Sequence, residues 1–99
     1  MAQFDIHRVR GGLALDCQAD LLHRLPTRFV VPLEPVHPAL IIDEQLNPRF
    51  LVDDEAMVMV TQLAGTVRVR DLRAPIGSIS DDREQLSVQR ALDLLITGV

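Results

Sequence analysis

The sequence predicts a mainly β fold, an antiparallel sheet or small barrel with one helix packed on it. Short runs in which apolar and polar residues tend to alternate fill the chain up to Arg70, separated by Gly, Pro, Asn and Asp. The C-terminal segment instead has the 3.6-residue period of an amphipathic helix. Nothing repeats as a strand, a helix and a strand, and we expect residues 1–99 to form a single domain.

The N-terminal segment is predicted to be a β-hairpin. Residues 4–9 and 13–18 both tend to alternate, and Gly11-Gly12 between them is expected to supply the positive φ angles of a tight turn. The next stretch, residues 20–26, does not alternate and is predicted to be a connection. Its adjacent Leu21 and Leu22 cannot both point into one core, so at least one of them is expected on the surface.

Further strands are predicted through the middle of the chain. Residues 28–33 are rich in β-formers, but Pro32 lacks a donor for a central ladder, so it is expected to end the strand or to place it at an edge. Residues 34–48 contain further prolines and are predicted to be mainly loop. The remaining predicted strands are residues 49–52, residues 55–61 after an Asp53-Asp54 turn, and the strictly alternating residues 66–70.

The last predicted element is an amphipathic helix. Ser80 is expected to cap it, with Asp81 and Asp82 placed where the helix dipole favours negative charge. The face expected to pack on the sheet consists of Val88, Ala91, Leu92, Leu95 and Ile96. The opposite side consists of Leu86, Arg90, Asp93, Leu94 and Thr97, where Arg90 could pair with Asp93.

The C-terminal ending is unusually apolar. The last nine residues include four large aliphatic side chains besides Val99, and no polar tail follows them. Ordering a chain end costs entropy that few contacts offset. We therefore expect this end to be shared with a second protomer and presented to a partner.

Composition excludes several classes of function. The net charge of −4 and the absence of Trp and Tyr argue against direct nucleic-acid binding. The N-terminus lacks the features of a signal peptide and no apolar run is long enough to span a membrane, so a cytoplasmic location is expected. The three histidines lie on separate segments, and neither a metal site nor a cofactor is expected. Cys17 is expected to be a buried apolar residue.

One basic stripe remains, formed by Arg68, Arg70 and Arg73. It fits the exposed face of an alternating strand, a seat for an acidic peptide, or a site for RNA phosphates if the protein were a small nuclease. No acid/base pair is apparent beside it, and the sequence gives no sign that this stripe catalyses a reaction.

Several segments, taken in order, resemble one known family. They are QF (residues 3–4), DCQADLL (16–22), RFVVPL (28–33), LNPRF (46–50), MVTQLA (59–64), ALDLL (91–95) and the closing Gly98 with a hydrophobic residue. The chain is similar to the CcdB toxins of bacterial toxin–antitoxin modules. The resemblance implies an SH3-like-barrel type of fold shared with MazF, in which a five-stranded antiparallel sheet carries a small three-stranded wing and a C-terminal helix. It also implies a homodimer.

The resemblance further implies two protein partners. Such toxins bind the A subunit of DNA gyrase and trap its cleaved DNA complex, and a CcdA-like antitoxin, partly disordered when free, removes them. The gyrase-contacting positions map onto Leu21, Leu22, Asp93, Thr97, Gly98 and Val99. Antitoxin contacts are not assigned by the resemblance, and the basic stripe of Arg68, Arg70 and Arg73 is the candidate for them.

The best-known plasmid-borne members carry Trp where this chain has Thr97. Two alternatives to gyrase poisoning therefore stay open. The first is a homologue that keeps the fold and binds an antitoxin without poisoning gyrase. The second is a MazF/Kid-like endoribonuclease with RNA bound at the basic stripe.

Overall fold

A curled antiparallel sheet with one C-terminal helix makes up the computed structural model, which describes residues 2–98. The strands are β1 (Asp5–Val9), β2 (Gly12–Asp16), β3 (Thr27–Pro35), β4 (Arg49–Val52), β5 (Glu55–Met59), β6 (Gly65–Arg68) and β7 (Pro75–Ser78), and the helix is α1 (Asp82–Thr97). The strand order is β4-β5-β3-β2-β1-β7, with β6 paired to β3. The predicted mainly β class with a C-terminal helix is confirmed.

The strand count differs from the expected five-stranded sheet with a three-stranded wing. Within residues 2–98, seven strands form one sheet that branches at β3. The first half of β3 pairs with β6 and its end pairs with β5. Because both β5 and β6 pair with the same long strand, the expected wing is part of a continuous sheet.

The main hydrophobic core lies on one face of this sheet, beneath α1. The register places Ile6 opposite Leu15 and Leu15 opposite Val31, so these three side chains form a row across β1, β2 and β3. Val88 and Ala91 of α1 belong to the same buried cluster. Burying a side chain of the size of valine or larger contributes about 1.5–3 kcal/mol, and the single methyl group of Ala91 contributes less. These contacts hold the helix on the sheet.

The first hairpin is confirmed, but its turn lies one residue earlier than predicted. Val9 pairs with Gly12, which makes Gly12 the first residue of β2. The two turn residues are Arg10 (φ +45°) and Gly11 (φ +81°). Two successive positive φ angles match the right-handed twist of the paired strands, which is why a two-residue turn suffices here. The Asp53-Asp54 turn between β4 and β5, also with positive φ at both residues, is as predicted.

Pro32 neither ends β3 nor places it at an edge, and that expectation was wrong. Pro32 lies opposite Ala14 of β2, and β3 continues to Pro35. Its carbonyl accepts a hydrogen bond from the backbone N–H of Val60, beyond the end of β5. The Pro32 nitrogen, which carries no hydrogen, points to the same side of β3 as its carbonyl. On that side the pairing with β6 ends at Val30 and the pairing with β5 begins at Leu33. A proline is tolerated in this central strand because no ladder bond is required there.

The segment after β6 departs from the prediction. The alternation of residues 66–70 predicts a strand to Arg70, yet β6 ends at Arg68 and Val69–Asp71 forms a short 3₁₀ helix. Strand β7, which pairs with β1 across an irregularity between Ile6 and His7, was not predicted. Its sequence, Pro-Ile-Gly-Ser, lacks a strand pattern, so only the tertiary pairing with β1 determines it.

The helix packs through a narrower face than its periodicity predicts. Val88 and Ala91 are buried and Leu92 is half-buried, as expected, but Leu95 and Ile96 are 42% and 72% exposed. Leu94, expected to face outward, is half-buried. Among the described residues the buried part of α1 ends at Ala91. The last turn therefore extends past the fully buried core, and the side chains of Leu95 and Ile96 do not anchor the helix.

The N-cap of α1 is Asp81, where Ser80 was expected. One Asp81 oxygen, Oδ1, accepts hydrogen bonds from the backbone N–H groups of Arg83 (2.8 Å) and Glu84 (3.1 Å). Two otherwise unpaired donors are satisfied, and the carboxylate also lies at the positive end of the helix dipole.

Replacing Asp81 with Ala is therefore expected to lower the free energy of unfolding by about 1 kcal/mol. Urea denaturation followed by circular dichroism measures this. Asp82→Ala is the matched control, because it removes a carboxylate one residue along without removing the cap. Equal losses in the two variants would show that charge alone, and not the cap, stabilises the helix start.

Candidate functional site

The exposed last turn of α1 carries two of the predicted contact residues. Asp93 and Thr97 are both exposed and lie four residues apart, one helical turn. The Thr97 hydroxyl donates to the backbone carbonyl of Asp93 (2.7 Å), which fixes the Thr97 side chain against the helix. Ile96, three residues after Asp93, lies on the same side. Asp93, Ile96, Thr97 and Gly98 are called the helix-end surface below.

The helix ends in a defined conformation. Gly98 adopts a left-handed conformation (φ +76°), and its N–H donates to the Leu94 carbonyl (3.0 Å). Only a residue without a Cβ takes this conformation at no steric cost, so the chain turns away from the helix axis at this point. Val99, the last predicted contact residue, lies outside the described residues.

Asp93 is not neutralised by a neighbour. The ion pairs within residues 2–98 join Asp16 to Arg28 and Glu44 to Arg49, and neither includes Asp93 or Arg90. The expected alternative, in which Arg90 pairs with Asp93, is therefore not seen. A free carboxylate beside the exposed Ile96 side chain gives the helix-end surface both an acceptor and an apolar contact.

The predicted Leu pair lies on a separate exposed turn. Leu21 is 89% exposed and Leu22 about half exposed, both in the short 3₁₀ helix Asp20–Leu22. The prediction that at least one of the pair is on the surface is confirmed. Leu25, in the same connection, is also exposed. Three exposed leucines within five residues make this connection an exposed apolar segment.

Side-chain hydrogen bonds hold this turn in place. Gln18 donates from Nε2 to the Leu22 carbonyl (3.1 Å) and accepts from the backbone N–H of Phe29 (2.9 Å). Asp20 accepts from the backbone N–H of Gln3 (2.8 Å). The turn is thereby fixed to β3 and to the N-terminal segment. The structure thus brings Asp93 and Thr97 together on α1, and it places Leu21 and Leu22 on a different element.

A buried ion pair, which was not predicted from the sequence, lies next to the segment that leads into the turn Asp20–Leu22, called the Leu turn below. Asp16 and Arg28 are 0% and 1% exposed, and both Nε and Nη2 of Arg28 lie 2.8 Å from Oδ2 of Asp16. The other carboxylate oxygen, Oδ1, accepts from the backbone N–H of Gln18 (3.0 Å). The ion pair therefore also orients the glutamine that holds Leu22.

The three predicted arginines do not form a strand stripe. Arg68 ends β6, Arg70 lies in the 3₁₀ helix, and Arg73 follows it, so they surround a bend in the chain. All three are exposed. Arg70 and Arg73 line one cavity with Arg10, which comes from the turn of the first hairpin. Sequence reasoning missed Arg10 because no local pattern connects it to this segment.

Cys17 is buried, as predicted, and its thiol has an unusual environment. Burial, followed by the neighbouring Asp16 carboxylate, raises the pKa of the Cys17 thiol to about 12. The Sγ atom donates a weak hydrogen bond to the Leu15 carbonyl (3.6 Å). A thiol that stays protonated is a poor nucleophile, so this residue belongs to the core and not to a reactive site.

The raised pKa predicts that the folded protein resists alkylation of Cys17. At pH 8.5 iodoacetamide is expected to modify the thiol at least tenfold more slowly in buffer than in 6 M urea. Because the folded-state pKa exceeds the unfolded value, the thiol's contribution to stability is complete below about pH 9 and is lost between about pH 9 and pH 12. Mass spectrometry follows the alkylation, and equal rates in the two solutions would contradict the assigned environment.

The histidines lie apart in the fold. His23 follows the Leu turn and His37 caps the short 3₁₀ helix Pro38–Leu40, whereas His7 is buried in β1. Within residues 2–98 no group of three or more His, Cys, Asp or Glu side chains is placed to hold a metal ion. The same part of the chain contains no helix long and apolar enough to cross a membrane.

Comparison with known proteins places the chain in one family. The family model described as CcdB protein matches residues 3–98, nearly the whole sequence. The protein is thus a toxin of a toxin–antitoxin system. The chain belongs to the CcdB family, in agreement with the resemblance of its sequence segments and with its curled antiparallel sheet and C-terminal helix. A search of curated proteins gives no match.

Proposed function

We propose that this toxin binds the A subunit of DNA gyrase in the cytoplasm, inhibits topoisomerase action without catalysing a reaction, and is neutralised by a CcdA-like antitoxin. The observation that supports this proposal best is the helix-end surface, where the free Asp93 carboxylate and the exposed Ile96 side chain lie at a helix end closed by Gly98. With Leu21 and Leu22 it covers the described positions at which family members contact gyrase.

Homodimer formation is part of the proposal. Leu95 is 42% exposed at the end of α1, and Leu63 is 64% exposed on the 3₁₀ helix Thr61–Leu63, which contacts α1. Burying such side chains against a second copy contributes about 25 cal/mol for each Å² removed from water. A dimer would also present two helix-end surfaces and two Leu turns to one target, which favours binding to a symmetric partner.

The endoribonuclease alternative has less support. Among the described residues, Asp71 is the one acidic side chain lining the cavity with Arg10, Arg70 and Arg73, and no histidine lines it. Acid/base cleavage of RNA requires a proton acceptor and a proton donor close to the scissile phosphate. The arrangement fits binding of an anion better than its hydrolysis.

Expression in a gyrase-bearing host tests the proposal. The protein alone is expected to arrest growth, to damage DNA, and to co-purify with the gyrase A subunit. Leu21→Glu is expected to abolish both effects. Leu51→Glu is the matched control, because Leu51 of β4 is 73% exposed and lies outside the proposed surface.

Three results would contradict gyrase binding. The first is normal growth at confirmed soluble expression without capture of the gyrase A subunit. The second is equal loss of activity in Leu21→Glu and Leu51→Glu. The third is growth arrest accompanied by RNA cleavage with purified protein, which would support the endoribonuclease. Normal growth combined with antitoxin binding would support the homologue that does not poison gyrase.

A further inference from the structure

We infer that Arg10, Arg68, Arg70 and Arg73 form a binding surface for an extended peptide in which carboxylates alternate with apolar side chains. These four residues are called the arginine surface. The inference rests on the proposed function only in naming the antitoxin as the source of such a peptide. It adds Arg10 and an apolar recess to the stripe seen in the sequence.

Three recesses around the 3₁₀ helix Val69–Asp71 form this surface. The largest has a volume of about 750 Å³ and is lined by Arg10, Arg70 and Arg73 together with residues 71, 72 and 74. A second, of about 340 Å³, shares Arg10 with it and adds Arg68. A third, of about 550 Å³, lies between Arg68 and Arg70. Because neighbouring recesses share arginines, a chain can pass from one to the next.

The charge of this surface is opposite to that of the whole protein. Its four arginines face one acidic lining residue, Asp71, whereas the protein has a net charge of −4. None of the four takes part in the two ion pairs found within residues 2–98. Guanidinium groups that are exposed and unpaired remain available for two-point hydrogen bonds with carboxylates.

The backbone beneath the arginines is fixed. His7, fully buried in β1, donates from Nδ1 to the Arg73 carbonyl (2.6 Å). The Arg73 N–H donates to the Arg8 carbonyl, and the Val69 N–H donates to the Pro26 carbonyl. Both ends of the bend are therefore tied to the sheet. The backbone of this surface therefore loses little entropy on binding, and the entropic cost that remains is the ordering of the arginine side chains.

An acidic peptide fits this surface better than RNA does. The third recess is mainly apolar, with Pro26 and Val69 beside the stems of two arginines, and it would receive an aliphatic side chain. Stacking of bases needs exposed aromatic rings, and Phe4, Phe29 and Phe50 are buried or half-buried in the core cluster. The negative charge of the rest of the protein repels a long polyanion more than a short peptide.

Fluorescence anisotropy with three labelled probes tests the inference. The probes are a 12-residue peptide in which Glu and Leu alternate, its counterpart with Gln for Glu, and a 12-nucleotide single-stranded RNA. The Glu peptide is expected to bind at least tenfold more tightly than the other two. The R68Q/R70Q/R73Q variant is expected to bind it about 30-fold more weakly, since the loss of each exposed ion pair is expected to weaken binding about threefold.

A second triple variant, R24Q/R83Q/R90Q, is the matched control. It makes the same change in charge at exposed arginines elsewhere and is expected to weaken binding less than threefold. Arg70→Gln alone, expected to bind about threefold more weakly, serves if the triple variant does not fold. Equal weakening in the two triple variants, or tighter binding of the RNA, would overturn the inference.

The peptide-binding measurement tests the arginine surface without involving gyrase. If the Glu peptide fails to bind while expression still arrests growth, the inference that the arginine surface binds an acidic peptide is wrong, and the proposed function stands. If the peptide binds but growth is normal and gyrase is not captured, the arginine surface stands and gyrase binding fails.

Discussion

Replacing Asp16 with Ala is expected to lower the free energy of unfolding by about 3–5 kcal/mol, the largest effect predicted for any single substitution in this protein. The substitution leaves Arg28, 1% exposed, as a buried cation without its counter-ion. It also removes the acceptor for the Gln18 N–H. Urea denaturation at neutral pH measures the loss from the midpoint and slope.

Two controls separate the ion pair from side-chain loss in general. Glu44→Ala breaks the exposed pair with Arg49 and is expected to cost less than about 1 kcal/mol, because that pair is solvated. The double variant Asp16→Leu with Arg28→Met removes both charges, and it is expected to be more stable than Asp16→Ala. Equal costs for Asp16→Ala and Glu44→Ala would contradict the buried pair.

The same substitution is expected to loosen the Leu turn. The Asp16 carboxylate orients Gln18, which in turn holds the Leu22 carbonyl. Hydrogen exchange of the amides of residues 18–22 is therefore expected to accelerate in Asp16→Ala beyond the acceleration caused by global destabilisation. The ion pair thus connects the interior of the sheet to one of the proposed contact surfaces.

Patterns among neighbouring residues in the sequence were enough to predict the elements that depend mainly on interactions between those neighbours. The Asp53-Asp54 turn, the first hairpin and the helix follow from turn residues and from apolar periodicity. The exposure of Leu21 and Leu22 also follows, because two adjacent side chains cannot face one core.

Features that depend on tertiary pairing could not be predicted in this way. Pro32 is tolerated in a central strand only because the partner changes from β6 to β5 beside it. Periodicity assigned Leu95 and Ile96 to the buried face, but it does not show where the sheet beneath the helix ends. The arginine surface could not be predicted for the same reason. Arg10 lies beside Arg70 and Arg73 only because β1 pairs with both β2 and β7.

Replacing Thr97 with Trp is expected to tighten binding to the gyrase A subunit by about 30-fold, corresponding to about 2 kcal/mol. Thr97 is exposed on the helix-end surface, and its hydroxyl is already satisfied by the Asp93 carbonyl. It therefore offers a partner little beyond one methyl group. An indole at the same position adds a large apolar surface next to Ile96.

Surface plasmon resonance with the immobilised gyrase A subunit measures this change, with two variants as controls. Thr97→Val removes the hydroxyl at nearly constant shape and isolates the loss of the hydrogen bond to Asp93. Leu86→Trp places the same indole at another partly exposed position of α1, away from the helix end. If Thr97→Trp binds no more tightly than Thr97→Val, the residue at position 97 is not what limits affinity. If Leu86→Trp increases the affinity for the gyrase A subunit equally, the added affinity is non-specific. The helix-end surface is then not supported as the gyrase contact.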